Sequence, residues 1–294
     1  TYTSRSWFSF FNGQFAFTIW DTRRRELFLA RDRVGIRPLF YARHRDEWLF
    51  GSEIEALFAD RRLKREIDPV ALDDVFTFWM PLSPRTAFVG ARELPPAHGM
   101  RIGESGSVMG RYWDLPAEAD PAGARPEEHC AEGLRELLID STRLQLRADV
   151  PVGAYLSGGL DSSVTAGLVR HVTYRRLSSF SVTFRDPEFD EQRIMTEFLK
   201  TDHEAVPCGD QDIAEAFPSV IWHAEVPVVR TAPAPLFLLS RLVRESSYKV
   251  VLTDEGADEI LAGYDLFKED KIRRFMAVFP ESRLRPLLPQ RLYP

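Results

Sequence analysis

A chain of 294 residues, 44% hydrophobic and 28% charged, has the balance of a folded protein that buries a core, and at about 150 residues per domain it is long enough for two. Its 38 Lys and Arg against 44 Asp and Glu leave a net charge of −6, so no overall basic field draws nucleic acid or an anionic membrane. No run approaches the ~18 apolar residues of a membrane span, and two cysteines, Cys130 and Cys208, cannot build a disulfide framework and fit a reducing cytoplasm.

The first half is written in strands. The uncharged run from Ser6 to Trp20 is broken by Asn12, Gly13 and Gln14 and alternates like a strand, not like a signal-peptide core. Short aromatic and β-branched runs at Gln14 to Trp20, Glu26 to Arg31, Pro38 to Ala42 and Trp48 to Gly51, with polar turns between them, predict an antiparallel meander. Ser52 with Glu55 three residues on reads as a capping box that opens a helix. Asp68 followed by Pro69 opens a second helix, through about Phe78. Further strands are predicted at Thr86 to Val89, Met100 to Ile102 and Val108 to Trp113. Residues 116–126, rich in Pro, Gly and Ala without periodicity, predict a linker between a domain at 1–115 and another at 127–294.

The second half alternates. A helix over about Glu127 to Arg147 carries Leu134, Leu137, Leu138, Ser141 and Leu144 on one face. Strands at Val152 to Leu156, Ser179 to Phe184, Glu204 to Val206 and Lys249 to Thr253 follow. Helices at Ser162 to His171, Glu191 to Leu199, Ile213 to Ala224 and Leu236 to Ser246 lie among them. That rhythm predicts a parallel, doubly wound α/β sheet with ligands beyond the carboxyl ends of its strands.

The chemistry concentrates where the first of those strands meets its helix, in Ser157-Gly158-Gly159-Leu160-Asp161-Ser162-Ser163. Two glycines let the backbone approach an anion, the amides of the helix start face it, and three hydroxyls add donors. No lysine follows the glycines, so this is not the Gly-Lys-Ser/Thr nucleotide loop. Asp161 stands there instead, and it tolerates a phosphate only across a hard cation such as Mg²⁺. A loop of this kind suits cleavage of ATP to AMP and pyrophosphate. A second acidic segment, Thr253-Asp254-Glu255-Gly256-Ala257-Asp258-Glu259, follows the last strand; read alone it is a solvated loop, and beside the first it offers a second Mg²⁺ ligand. The six histidines lack metal-ligand spacing, and both cysteines read as small buried hydrophobes.

The string Ser157 to Ser163 resembles the pyrophosphate loop of the N-type ATP pyrophosphatases, and the text around it resembles the glutamine-dependent asparagine synthetases. Asn12 to Phe17, Ala30 to Leu39 and Gly51 to Ile54 are similar to the later part of that family's glutaminase domain, an antiparallel α+β N-terminal-nucleophile fold. Leu94 to His98, Asp149 to Gly153, Ser179 to Val182 and Arg230 to Pro233 are similar to its linker and synthetase domain. The resemblance implies adenylation of the aspartate side chain by ATP with release of pyrophosphate, then amidation by ammonia from glutamine. It implies that Ser157, Gly158, Gly159, Ser162 and Ser163 hold pyrophosphate and that Asp161 and Asp258 bind Mg²⁺. The main chain at Tyr155, Leu156 and Val182 would meet adenosine, Thr253 and Asp254 would lie near the nucleotide, and Arg230 would neutralise charge on the phosphates. Small molecules are then the partners, with neither nucleic acid nor membrane, and a homodimer is the candidate assembly.

Departures from the family pattern are equally specific. The glutaminase nucleophile is a first-position cysteine, whereas this chain begins Thr1-Tyr2-Thr3. Aligned on Asn12 to Phe17, Thr1 falls inside the glutaminase domain, so the chain reads as clipped at both ends and is not expected to hydrolyse glutamine alone. Asp254 stands where the family usually has Gly, a strained choice if that position needs φ > 0. Two rivals remain at this stage: a relative that adenylates another carboxylate, as β-lactam-forming synthetases do, and a degenerate nucleotide-binding module without catalysis.

Overall fold

A computed structural model describes residues 11–115, 125–173, 176–184, 192–282 and 284–289. Thr1 and most of the expected linker, 116–124, lie outside them. The chain divides into two compact units, Thr1–Ala124 with Gln211–Ala234, and Arg125–Asp210 with Pro235–Pro294. Nothing in the sequence pattern foretold that 211–234 would join the first unit.

In the first unit, β1 (Ala16–Asp21) and β2 (Glu26–Arg31) form a hairpin in register Ala16 to Arg31. The predicted meander ends there. β2 pairs with β6 (His98–Gly103), which pairs with β7 (Gly106–Arg111), giving an antiparallel sheet β1-β2-β6-β7. β3 (Phe40–His44) leaves for a second sheet between β4 (Glu47–Gly51) and β5 (Ala91–Glu93). The reason lies in the turn after β2, where Arg31 and Asp32 are buried charges that organise the chain around themselves. The Asp32 carboxylate accepts backbone N–H groups of Val34, Ile36, Arg37 and Phe15. Arg31 donates to Glu93, to the Leu94 and Gly35 carbonyls and to the Arg37 carbonyl. With four amides on the Asp32 carboxylate and four of the five Arg31 N–H donors engaged, burial is affordable for both charges, and the loop redirects β3. Leu29, Leu39, Tyr41, Leu94, Met100 and Ile102 then form one core shared by the two sheets.

The helix expected after Ser52 is short, α1 (Ile54–Leu57), and Ser52 does not cap it. Its first amides are instead taken by the Glu225 carboxylate, at 2.7 Å from Ile54 N and 2.6 Å from Glu55 N. Asp68 does cap α2 (Pro69–Phe78), accepting from Val70 and Ala71. The run Thr86 to Val89 is not a strand; it contributes only an isolated bridge from Phe88 to Ile67.

The second unit opens with α3 (Glu127–Gln145), whose buried residues are Ile139 and Thr142, while Leu134, Leu137, Leu138 and Leu144 stay exposed. The helix is as predicted, but the face it buries is not. Next come β8 (Val152–Tyr155), α4 (Leu160–Val172), β9 (Ser178–Thr183), α5 (Gln192–Leu199) and β10 (Asp202–Pro207). α6 (Asp210–Ala224), α7 (Pro233–Glu245), β11 (Val250–Leu252), α8 (Ala257–Leu261) and α9 (Asp265–Ala277) follow. The four strands are all parallel, in the order β10-β9-β8-β11. Ala154, Leu156, Ala166, Val169, Leu177 and Leu199 pack one core of this unit. Phe180, Leu239 and Val243 pack another, where full burial of Phe180 contributes about 2–3 kcal/mol. His203 is drawn into this sheet, bonded to Ser179 and Ser181 rather than placed for a metal. Cys208 is buried as expected, whereas Cys130 is exposed.

Candidate functional site

The strand order locates the site. From β8 the chain winds one way through β9 to β10, then returns to the other side of β8 as β11. Connections that leave two adjacent strands in opposite directions open a crevice at their carboxyl ends. β8 pairs with β11 through Val152 to Val250 and Ala154 to Leu252, so the crevice lies between the segments that follow Tyr155 and Leu252. Those are the Ser-Gly-Gly loop and the acidic loop, both singled out by sequence.

The first loop is held by its own backbone and hydroxyls. Leu156 is fully buried, and its amide bonds to the Phe180 carbonyl, so only its main chain could meet a ligand. Gly158 takes φ +95, a left-handed conformation that costs a residue with a Cβ dearly and glycine little. The Ser157 hydroxyl accepts the Gly159 amide and bonds to the Ser162 hydroxyl at 2.9 Å. Ser162 donates to the Gly159 carbonyl and Ser163 to the Gly158 carbonyl. Ser162 is only 2% exposed: its hydroxyl braces the loop. α4 begins at Leu160, two residues earlier than the pattern suggested. The opening amides of a helix have no partner within it and carry the positive end of its dipole. Asp161 lies in that first turn, half-buried.

Around it, the Tyr155 hydroxyl bonds to Ser240, and Val182 packs beside the Phe180 core. Past β11, Thr253 is exposed and Asp254 half-buried, its carbonyl accepting the Ala257 amide. Asp254 has no positive φ; the left-handed position of this turn is Gly256, at +96. The aspartate therefore brings charge to the loop without backbone strain. The carboxylates give this end of β11 a negative field: Glu259 beside Tyr264, helped by Asp258 and Glu255, raises the phenol above its ordinary range. Sequence reasoning missed what sets Asp258 in place. A Cβ built on Gly263 would fall on the Asp258 carboxylate, so the glycine's missing side chain is the space the acid occupies. A glycine directly after the helix's C-cap residue was the available signal.

Arg230 belongs to the first unit. Its guanidinium lies over the ring of Trp79, 3.7 Å from the centroid. Trp79 is the left-handed C-cap of α2, at φ +68, a conformation that costs a bulky residue about 1 kcal/mol or more.

Among the described residues no three His, Cys, Asp or Glu side chains cluster as a metal cage. Two carboxylates, Asp161 in the first turn of α4 and Asp258 in the first turn of α8, each just past one of two neighbouring strands, suit Mg²⁺, which completes its shell with phosphate oxygens and water, and do not suit a four-ligand zinc. No helix among the described residues is long and apolar enough to cross a membrane.

The family model for asparagine synthase matches residues 133–293, and that for a glutamine amidotransferase domain matches residues 4–113. Amidase chry2 of Gibberella zeae is 33% identical over 287 residues, 91% of this chain and 42% of that protein. Asparagine synthetase (glutamine-hydrolyzing) 3 of Bacillus subtilis is 31% identical over 274 residues, 87% of this chain and 44% of that protein. Amidase chyE of Penicillium rubens is 33% identical over 285 residues, 90% of this chain and 42% of that protein. The chain thus spans less than half the length of these relatives.

Proposed function

The chain belongs to the asparagine synthase family, and from that premise we propose that it carries the nucleotide-activating centre of an ATP-dependent, AMP-forming carbon–nitrogen ligase whose acceptor is the side-chain carboxylate of aspartate. A carboxylate resists attack by ammonia because its leaving group would be oxide. Transfer of AMP to the carboxylate oxygen, with departure of pyrophosphate, supplies a leaving group that a nitrogen nucleophile can displace. The observation that carries this reading is the loop after β8 at the sheet's switch point, with Gly158 left-handed and the α4 amides behind it. A diphosphate is the ligand such a cradle of donors recognises.

The roles are those that the family resemblance implies. Amides at Gly158, Gly159 and the α4 start, with the hydroxyls of Ser157 and Ser163, hold pyrophosphate; Ser162 keeps the loop in shape. Asp161 and Asp258 would hold Mg²⁺, which when bound screens the phosphate charge. The main chain at Tyr155, Leu156 and Val182 meets adenosine, and Thr253 and Asp254 flank the nucleotide. Arg230 neutralises charge that develops on the phosphates. Residues 1–115 act as the glutaminase-like domain and 127–294 as the synthetase, in a reducing cytoplasm, on small-molecule substrates.

The test is aspartate-dependent exchange of labelled pyrophosphate into ATP. The wild-type protein is expected to exchange and to form AMP, and Asp161→Asn and Asp258→Asn to lose exchange by 100-fold or more. Formation of ADP, or full exchange by Asp161→Asn, would sink the reading. Because two of the relatives are named amidases, the assay is run across other carboxylates as well; exchange with one of these but not aspartate would transfer the mechanism to a different acceptor.

A further inference from the structure

The parallel sheet has a second hollow, at the end away from the glycine loop. Arg170 in the last turn of α4, Arg176 just before β9, and Lys200, Thr201 and His203 where α5 passes into β10 line a depression of about 770 Å³. α4 spans the distance between the two places: the loop sits at its first residue, Leu160, and Arg170 lies ten residues on, roughly 15 Å at 1.5 Å per residue. In a chain of net charge −6, three cations line this hollow against one acid, Glu197, which lies 3.9 Å from Arg193. Among the described residues Arg170 and Lys200 make no hydrogen bond or ion pair. Arg176 commits only its Nε there, shared between the Lys200 carbonyl at 3.2 Å and the Asp202 carboxylate at 2.9 Å, so both its terminal nitrogens stay available.

A cation at a helix end complements the carbonyls there, but Arg176 already serves the end of α5, and Lys200 is surplus to it. Lys200 also takes φ +51, the conformation in which glycine commonly ends a helix, so an unpartnered charge stands where Gly would be less strained. The wall beneath adds a hydroxyl donor. Ser179 gives its one hydroxyl hydrogen to Thr201 at 2.8 Å, so at 2.9 Å it accepts from Nδ1 of His203. Thr201 ends that chain of donors, only 7% exposed, and no described residue accepts its own hydrogen. A buried hydroxyl that donates to nothing is costly unless an acceptor enters from the hollow. On this geometry we propose that the hollow is a second ligand site, for the phosphate group of a small phosphorylated molecule: Arg170, Arg176 and Lys200 take the phosphate oxygens and Thr201 donates to one of them. Guanidinium forks match phosphate oxygens in pairs. The volume lies within the ~300–1,000 Å³ of small-molecule sites and leaves room for the organic remainder. The site is separate from the crevice at the carboxyl ends of the strands and does not depend on the ligase reading.

The experiment titrates the intact protein with glycerol 3-phosphate, inorganic phosphate and glycerate while the ring resonances of His203 are followed by NMR. Glycerol 3-phosphate is expected to shift them saturably, and the singly charged glycerate to bind about 10-fold more weakly or worse. Inorganic phosphate, which leaves the rest of the hollow empty, is expected to fall between the two. Arg170→Ala is expected to weaken binding about 10-fold or more. Lys200→Gly is expected to weaken it similarly while its Tm rises by roughly 2–4 °C, so that the loss cannot be ascribed to unfolding. Thr201→Val removes the hydroxyl at nearly constant volume and is expected to cost about threefold or more. Ser157→Ala/Ser163→Ala in the glycine loop is expected to leave the His203 response unchanged. No saturable shift, a response lost with the loop hydroxyls, or wild-type affinity in Arg170→Ala would overturn the site. Glycerate binding as tightly as glycerol 3-phosphate would overturn its assignment to phosphate, and inorganic phosphate doing so would overturn the place given to an organic remainder.

Discussion

The carboxylate of Glu225 accepts the backbone N–H of Ile54 at 2.7 Å across 171 positions of sequence. Its second oxygen takes the amide of Glu55. The cap that sequence assigned to a neighbour, Ser52, is thus supplied by a remote residue that itself adopts φ +54. Local capping rules find donors and acceptors three residues apart; they are blind to one that arrives at the end of α6.

Glu225→Ala leaves two helix-start amides without their charged acceptor. We expect a loss of about 2 kcal/mol, read as a lower denaturant midpoint with unchanged slope. Ser52→Ala, which removes the hydroxyl of the supposed capping box, is expected to lie within about 0.5 kcal/mol of wild type.

Asp32→Ala removes the acceptor of four backbone amides from a residue only 1% exposed. The expected cost is on the order of 3 kcal/mol or more, enough to lower soluble yield. Asp32→Asn keeps one acceptor oxygen and is expected to be intermediate. Equal stability of all three proteins would refute the organising role given to this carboxylate.

Tyr112 offers a test by pH. Its hydroxyl donates to the Arg31 carbonyl at 2.6 Å, and burial, assisted by the Asp32 charge, pushes the phenol up to about 12. The unfolded chain releases that proton near 10, so between 10 and 12 the unfolded state binds fewer protons and stability falls as pH rises. The contribution is complete below pH 10 and lost through about 12. Tyr112→Phe is expected to be less stable by about 1 kcal/mol at neutral pH and to show a shallower decline across that window, measured by chemical unfolding at a series of pH values.

Gly263→Ala forces the Asp258 carboxylate from the space it fills. The exchange rate is expected to fall at least 10-fold, with a Tm within a few degrees of wild type because the loop is surface structure. A fully active Gly263→Ala protein would mean that the orientation of Asp258 is immaterial.

What was legible in the sequence was what is local. The loop Ser157 to Ser163, the Asp68 cap and the period of the second-half strands each depend on residues within a few positions, and the structure places them as read. The parallel sheet and the antiparallel sheets follow from the same patterns. Partner choice was not legible. β2 turns to β6 instead of β3 because of the buried pair Arg31 and Asp32, whose charges a periodicity reading assigns to solvent. The buried side of α3 and the exposure of Cys130 were misjudged for a related reason, since an apolar stripe or a thiol does not announce which neighbour covers it. In the two loops, residue types were readable, whereas the space at Gly263 that the Asp258 carboxylate fills is a contact with a position that has no side chain.

The pairing of Val250 with Val152 also sets a clock on synthesis. While the chain is being made, β8 and its glycine loop emerge long before the strand that walls the other side of the crevice. At about 5–20 residues per second, the ribosome leaves that crevice one-sided for on the order of 5–20 s. A ligand that touches both walls of the crevice can stabilise the nascent chain only once β11 has paired with β8.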